Sequence, residues 1–177
     1  THSLNYFIRG FLKGGDHVLV TGMEHNAVMR PLRCMEREGV TWECIPTDRE
    51  GNVRASDVAG MIRKDTKAVI ALHASNVCGT IVPVEEIGRI CRERGVFFVV
   101  DTAQSAGTIP LHMEEACVDF LAFTGHKGLL GPQGVGGFLI SDRLDGQMEP
   151  LIAGGTGSSS DSLDMPRTLP DKYESGT

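Results

Sequence analysis

The chain has 177 residues, of which 41% are hydrophobic and 23% are charged, and its formal net charge at pH 7 is −6. This length and composition are typical of one well-packed soluble domain and are short for two. The negative charge argues against a nucleic-acid-binding face, because such faces are usually basic. No apolar run approaches the roughly 20 residues that span a bilayer, so neither nucleic acid nor a membrane is an expected partner.

Helical and strand patterns alternate along the first 140 residues. Apolar residues recur at helical spacing in four segments, and Gly14-Gly15 and Gly39 end the first two of them. The predicted helices are residues 4–12, 28–38, 56–62 and 84–91. Short apolar or alternating runs predict strands around these helices. The predicted strands are residues 17–21, 41–45, 68–72, 96–100, 119–123 and 135–140.

This alternation indicates a largely parallel α/β sheet. The near-continuous apolar runs at 68–72 and 96–100 favour strands that are buried on both faces. From Arg143 onward the character of the sequence changes, and residues 143–177 are predicted to be a loop-rich connector. The chain starts at Thr1 without a methionine and stops after a turn-like Glu-Ser-Gly, so we expect it to be incomplete at both ends.

Five cysteines are scattered along the chain, with neither the paired spacing of a zinc site nor an even disulfide framework. They are Cys34, Cys44, Cys78, Cys91 and Cys117. We therefore expect no metal site, and we expect a reducing compartment, the cytoplasm. Cys78 is interpreted as a small packing residue, and the other four are expected to face the core.

Polar residues follow four of the predicted strands, at the edge where open parallel sheets bind ligands. These residues are His25, Asn76, Asp101, Gln104 and Lys127. Each residue type is ordinary by itself, but together they predict one polar site. His73, at the end of the strand 68–72, is instead interpreted as a structural histidine.

Lys127 is the candidate for covalent chemistry. It lies in Thr-Gly-His-Lys-Gly, residues 124–128, where a lysine amine can form a Schiff base with an aldehyde. The alternative is an exposed lysine in a glycine-rich turn. Asp101, at the end of a buried strand, is suited to keep a pyridine nitrogen protonated, and a lysine Schiff base with an aspartate partner is typical of pyridoxal 5′-phosphate (PLP) enzymes. The alternative for Asp101 is a helix N-cap.

Five motifs in collinear order carry a resemblance to a known family. They are residues 21–26 with 30–32, residues 75–80, residues 101–104, residues 123–128 with 131–136, and residues 173–177. They cover essentially the whole chain, and the sequence resembles the class V aminotransferases, specifically the cysteine desulfurase/selenocysteine lyase branch. The resemblance implies that residues 1–177 are the PLP-binding large domain of PLP fold type I, a mostly parallel sheet with helices on both faces.

In the family that sheet has seven strands. The first would precede Thr1, which leaves six strands here, with 135–140 antiparallel. The family's small C-terminal domain, with its substrate-binding arginine and its catalytic cysteine loop, is expected to be absent from the chain.

The resemblance also assigns roles to individual residues. Lys127 would hold the cofactor as a Schiff base, Asp101 would pair with the pyridine nitrogen, and Gln104 would hydrogen-bond the ring hydroxyl. His25 would stack on the ring and act as an acid/base group, and Asn76 would lie near the substrate carboxylate.

A second set of residues would bind the cofactor phosphate. It consists of Thr1, Thr124 and His126 of the same chain, with Thr177 reaching the phosphate of a neighbouring subunit. The resemblance thus implies a homodimer with composite active sites.

The implied reaction removes sulfur from L-cysteine and gives alanine and an enzyme persulfide, with a sulfur-acceptor protein as a further partner. Two alternatives stay open from the sequence. One is another reaction of a small amino acid on the same scaffold, namely transamination, selenocysteine lysis or epimerisation. The other is a truncated, non-catalytic partner of an intact enzyme.

Overall fold

The computed structural model of the chain describes residues 1–158 and 161–176. Its helices and strands, in chain order, are α1 (His2–Phe11), β1 (His17–Thr21), α2 (Asn26–Met35), β2 (Thr41–Ile45), α3 (Ala55–Met61), β3 (Thr66–Leu72), α4 (Val84–Glu93), β4 (Phe97–Asp101), β5 (Phe120–Thr124), β6 (Gly136–Ile140) and α5 (Asp142–Asp145). A short 3-10 helix, Glu36–Glu38, continues α2 as far as Gly39, whose left-handed backbone (φ of 89°) ends it.

The six strands form one sheet in the order β2-β1-β3-β4-β5-β6. Neighbouring strands are parallel except for β5 and β6, which are antiparallel. The expected α/β fold and the antiparallel last strand are therefore confirmed. The register places Leu72 beside Asp101, so β3 and β4 end together at one edge of the sheet.

Side chains alternate across the strands and fill two separate hydrophobic clusters, one on each face. On one face, Val18 and Val20 of β1 join the apolar residues of α1 and α2. On the other face, Leu19 joins residues of α3 and α4. The predicted placement of helices on both faces of the sheet is thus confirmed.

An ion pair with a buried carboxylate anchors the opposite edge of the sheet, where β5 begins. The Asp119 carboxylate accepts hydrogen bonds from Nη2 and Nε of Arg143 at 2.7 and 3.1 Å. The Ser141 hydroxyl donates to it at 3.0 Å and the Phe98 backbone N–H at 2.9 Å. The Arg143 guanidinium also lies 4.2 Å from the centre of the Phe97 ring. These contacts tie β4, β5 and the start of α5 together.

The segment after β6 is largely irregular, although α5 lies within it. Between Gly146 and Gly176 the described residues form no further helix or strand. The segment is nevertheless anchored, because the buried Tyr173 donates a hydrogen bond from its hydroxyl to Asp145 at 2.9 Å. Burial and this carboxylate both raise the pKa of Tyr173, so its hydroxyl remains a donor.

The predictions for the cysteines are mostly wrong. Cys91 of α4 is buried as predicted, but Cys34 and Cys44 are exposed and Cys117 is partly exposed. Cys44 lies on β2, which is an edge strand of the sheet and is mostly accessible. Cys78, interpreted as a packing residue, is exposed too.

Across the described residues, no helix is both long enough and apolar enough to cross a membrane. Within those same residues, His, Cys, Asp and Glu side chains form no group of three that could hold a metal ion.

Candidate active site

The strands β1, β3, β4 and β5 end at one edge of the sheet, and the residues that follow them line a cleft of about 290 Å³. Every predicted site residue that the structure describes lines this cleft. These residues are Thr1, His25, Asn76, Asp101, Gln104, Thr124, His126 and Lys127. Thr177 lies outside the described residues. The fold therefore brings together side chains from five separate stretches of sequence.

Asp101 is the last residue of β4 and is 8% exposed. Its Oδ1 accepts the backbone N–H of Ala103 at 2.9 Å, which closes a turn. Turns and not a helix follow Asp101, so the alternative that it caps a helix is wrong. Among the described residues no donor is hydrogen-bonded to Oδ2, and this oxygen can therefore serve a ligand in the cleft.

Lys127 lies in the turn directly after β5, with its side chain accessible from the cleft. Two glycines hold this turn close to the turn that begins at Asp101. A Cβ on Gly128 would lie 2.4 Å from the Ala106 carbonyl oxygen, and a Cβ on Gly107 would lie 2.6 Å from the Gly128 carbonyl oxygen. No side chain fits between the two turns, so their backbones pack directly and fix where Lys127 starts.

Polar groups gather around the first turn of α1, where the cleft meets a neighbouring groove along β6. Thr124 Oγ1 and His126 Nδ1 are 2.9 Å apart. Thr1 is the N-cap of α1, but its hydroxyl makes no capping hydrogen bond. A helix N-terminus presents unpaired backbone N–H groups and a positive dipole end, and with these side chains it suits a phosphate.

His25 is the N-cap of α2, and its Nδ1 accepts the backbone N–H of Ala27 at 3.1 Å. In the neutral ring the proton therefore sits on Nε2. Because His25 lines the cleft, the hydrogen bond both orients the ring and leaves one nitrogen for proton transfer or ring contact.

Asn76 and Gln104 are exposed side chains on loops at the mouth of the cleft. The loop of Asn76 is closed by a hydrogen bond from Ser75 N–H to the Thr80 carbonyl at 2.9 Å. Cys78 lies in the same loop, where hydrogen bonds with Ser75 and Thr80 lower the pKa of its thiol to about 7.

His73 is buried behind the cleft, as its structural interpretation expects. Its Nδ1 lies 2.9 Å from the Ser105 hydroxyl, and burial lowers its pKa. The imidazole is therefore neutral at pH 7 and supports the turn that follows Asp101.

Sequence reasoning missed Glu24, whose carboxyl group is buried next to the cleft. Its Oε1 accepts hydrogen bonds from the Thr21 hydroxyl at 2.6 Å and the Leu72 N–H at 2.7 Å. Burial raises the pKa of Glu24 to about 8, and the negative charge of Asp101 contributes to the same shift. The sequence signal that could have identified Glu24 is its position between the end of a buried strand and His25.

The comparisons with known proteins all indicate one family. The family model described as Aminotransferase class-V matches residues 1–177. The probable cysteine desulfurase of Pyrococcus abyssi is 38% identical over 183 residues, which take in 100% of this chain and 45% of that relative. The chain thus spans less than half the length of the curated relatives it matches.

Solved structures give the same picture. The apo structure of the cysteine desulfurase from Thermococcus onnurineus NA1 aligns with a TM-score of 0.89 and 38% identity, over 99% of this chain and 45% of that one. C-DES, described as a cystine C-S lyase, is 32% identical over 86% of this chain and 42% of its own. One C-DES structure carries glycine covalently linked to the PLP cofactor (TM-score 0.79), and another holds the product cysteine persulfide (TM-score 0.80).

Proposed function

Because this chain belongs to the class V aminotransferase family, we propose that the full-length protein is a PLP-dependent cysteine desulfurase. It would take sulfur from L-cysteine onto an enzyme thiolate, giving alanine and an enzyme persulfide. The observation that carries the proposal is the meeting of Lys127 and Asp101 in one cleft, at the ends of the neighbouring strands β5 and β4.

The residues of the cleft fit the cofactor. Family membership and the PLP-linked structure of C-DES imply PLP, and the polar groups around Thr1, Thr124 and His126 suit its phosphate. The exposed Lys127 amine is free to bond to the aldehyde carbon. When bound, PLP supplies an electron sink for the charge released at the Cα of an amino acid.

The chain's own residues would direct that chemistry. Asp101, nearly buried and with Oδ2 available, would hold a proton on the ring nitrogen. Lys127 would anchor the aldehyde carbon and, once the substrate amine replaces it, would be free to move a proton at Cα. His25 would cover the ring and exchange a proton through Nε2. Gln104 would bind the ring hydroxyl, and Asn76 the substrate carboxylate.

We further propose a homodimer with composite sites, a sulfur-acceptor protein as partner, and a cytoplasmic location. The dimer rests on the resemblance of residues 173–177 to the segment that crosses to a neighbouring subunit. The location rests on the five free thiols, which suit a reducing compartment.

The first test is covalent. Borohydride treatment of the PLP-loaded full-length protein, followed by peptide mapping, should place the cofactor on Lys127. Lys127→Ala should lose the adduct, whereas Lys64→Ala, which changes an exposed lysine that does not line the cleft, should keep it. An adduct on Lys64, Lys67 or Lys172 contradicts the assignment.

A second candidate, a C–S lyase, is favoured by the likeness to C-DES. Product analysis separates the two. A desulfurase releases one alanine per sulfur transferred, whereas elimination across Cα and Cβ releases pyruvate and ammonia. Alanine as the main product from L-cysteine supports the desulfurase, whereas pyruvate as the main product supports the C–S lyase instead.

A further inference from the structure

Two buried carboxyl groups lie on either side of the same strand end. In a parallel sheet, successive backbone N–H groups of one strand point to opposite neighbours. At the end of β3, the His73 N–H donates to the backbone carbonyl of Asp101 at 2.9 Å. On the other side β1 has already ended at Thr21, and the Leu72 N–H donates instead to the Glu24 carboxyl at 2.7 Å. Glu24 thus takes the place of a missing strand residue.

The second carboxyl oxygen of Glu24 has no such partner. Oε2 is buried and is hydrogen-bonded to no group among residues 1–158 and 161–176. The negative charge of Asp101 on β4 raises the pKa of Glu24, and Glu24 in turn raises the pKa of the Cys44 thiol on β2. His25 follows Glu24 directly in the sequence. No lysine, arginine or histidine in the described part of the chain forms an ion pair with Glu24.

A carboxylate buried without a cation is expensive, and the group takes up a proton instead. The pKa of Glu24, raised to about 8 by burial, agrees with this expectation. At pH 7 the hydroxyl of the neutral acid needs no cation, and Oε1 keeps both of its hydrogen bonds. Glu24 does not itself line the cleft, so its effect on bound groups must pass through its neighbours.

We infer that Glu24 is a positioning residue that works as a neutral carboxylic acid. It fastens the turn carrying His25 to the end of β3, and it does so without placing a second negative charge beside Asp101. An ionised Glu24 would add a second negative charge close to Asp101, the carboxylate that would hold the proton on the ring nitrogen. A neutral amide in its place would preserve the arrangement, and a methyl group would not. The inference rests on the proposed function, because His25 and Asp101 matter there through the cofactor.

The test compares Glu24→Gln with Glu24→Ala in the PLP-loaded full-length protein, with Glu43→Gln as a surface control on β2. Glu24→Gln should keep wild-type PLP affinity and should stay within about threefold of wild-type kcat, because its amide oxygen can accept both hydrogen bonds. Glu24→Ala should weaken PLP binding and kcat/KM by about tenfold or more, since it frees the turn that carries His25. If Glu24→Ala matches the wild type, or if Glu24→Gln fails as badly as Glu24→Ala, the inference is wrong.

A readout independent of turnover decides the protonation state. Difference infrared spectra of wild type minus Glu24→Gln should show a protonated-carboxyl band well below pH 8 that fades well above it. A carboxylate band at neutral pH overturns the inference even if Glu24→Ala does not fold. Loss of the Lys127 adduct in the borohydride experiment would sink the proposed function, but it would leave this band unchanged.

Discussion

The sheet contains a buried carboxyl group at the edge where β5 begins and another at the edge where β3 ends, and the two groups have very different partners. At the edge where β5 begins, Asp119 receives four hydrogen bonds, two of them from the Arg143 guanidinium. At the other edge, Glu24 receives two hydrogen bonds on one oxygen and, within the described part of the chain, none on the other oxygen and no cation. Both groups are buried, so the difference lies in their partners and not in their depth.

The contrast separates two tasks of one sheet. Where a buried carboxylate has a cation and hydrogen bonds on both oxygens, it ties strands together, and the loss of its cation destabilises the fold. Where pairing is left incomplete, Asp101 and Lys127 line one cleft. Sites that bind and react are expected to violate the rules of good packing in this way. Substitutions at the two edges should therefore change different quantities.

The largest effect is expected at the edge where β5 begins and Asp119 is paired with Arg143. Arg143→Met leaves the Asp119 carboxylate buried without its cation, and breaking such a pair costs about 3–5 kcal/mol. Urea denaturation of the full-length protein should show this loss of unfolding free energy, whereas kcat of the folded enzyme should hardly change.

Arg63→Met is the matched control, because it removes exposed ion pairs to Glu43 and Asp65. It should cost less than about 1 kcal/mol. Equal losses in the two variants would mean that Asp119 is not anchored as described.

The second largest effect is expected at the other edge, where β4 ends at Asp101. Asp101→Asn replaces a carboxylate with a neutral amide that cannot hold a proton on the ring nitrogen, so turnover should fall by at least about 100-fold, or about 2.7 kcal/mol. PLP should stay bound, because Lys127 and the residues that would bind the phosphate are unchanged.

Steady-state kinetics and cofactor absorbance would measure both results. Asp48→Asn changes an exposed aspartate in a turn and should have no effect on turnover. Near-normal turnover in Asp101→Asn would reduce the role of Asp101 to closing the turn at Ala103.

The smallest effect is the change in unfolding free energy that Glu24 causes over one pH unit. The pKa of Glu24 is about 8 in the folded chain against an ordinary 4.5, so the folded state holds this proton more tightly than the unfolded state. The contribution of Glu24 to the unfolding free energy should therefore be fully present below pH 4.5 and be lost as the pH rises to about 8, by about 1.4 kcal/mol per pH unit. Urea midpoints of the cofactor-free protein at two pH values inside this window should show the slope. Glu24→Gln should remove it, and Glu43→Gln should keep it.

Most of the fold could be predicted because its signals are local. The strands 17–21 and 41–45 agree with β1 and β2 residue for residue. The strand 96–100 is shifted by one residue, because Asp101 is hydrogen-bonded into the ladder beside Leu72. Helix α5 was not predicted, since its four residues lie where the sequence turns irregular.

The residues of the candidate site also divide into those with a local sequence signal and those without one. Lys127 and Asp101 could be found because they directly follow apolar strands, and the resemblance added roles for the others. Glu24 could not be found this way, since its importance comes from the Leu72 N–H, 48 residues away in sequence. Cys44 was placed wrongly because the alternation of 41–45 does not reveal that β2 is an edge strand.

The direct packing of the turns at Gly107 and Gly128 has a practical consequence for protein engineering. Because backbone atoms make this contact, the starting point of Lys127 does not depend on the side chains that line the cleft. A library that varies Asn76 and Gln104 could therefore reshape the mouth of the cleft while the backbone of Lys127 stays in place. The same library should leave both glycines untouched, because a Cβ at either position would collide with backbone.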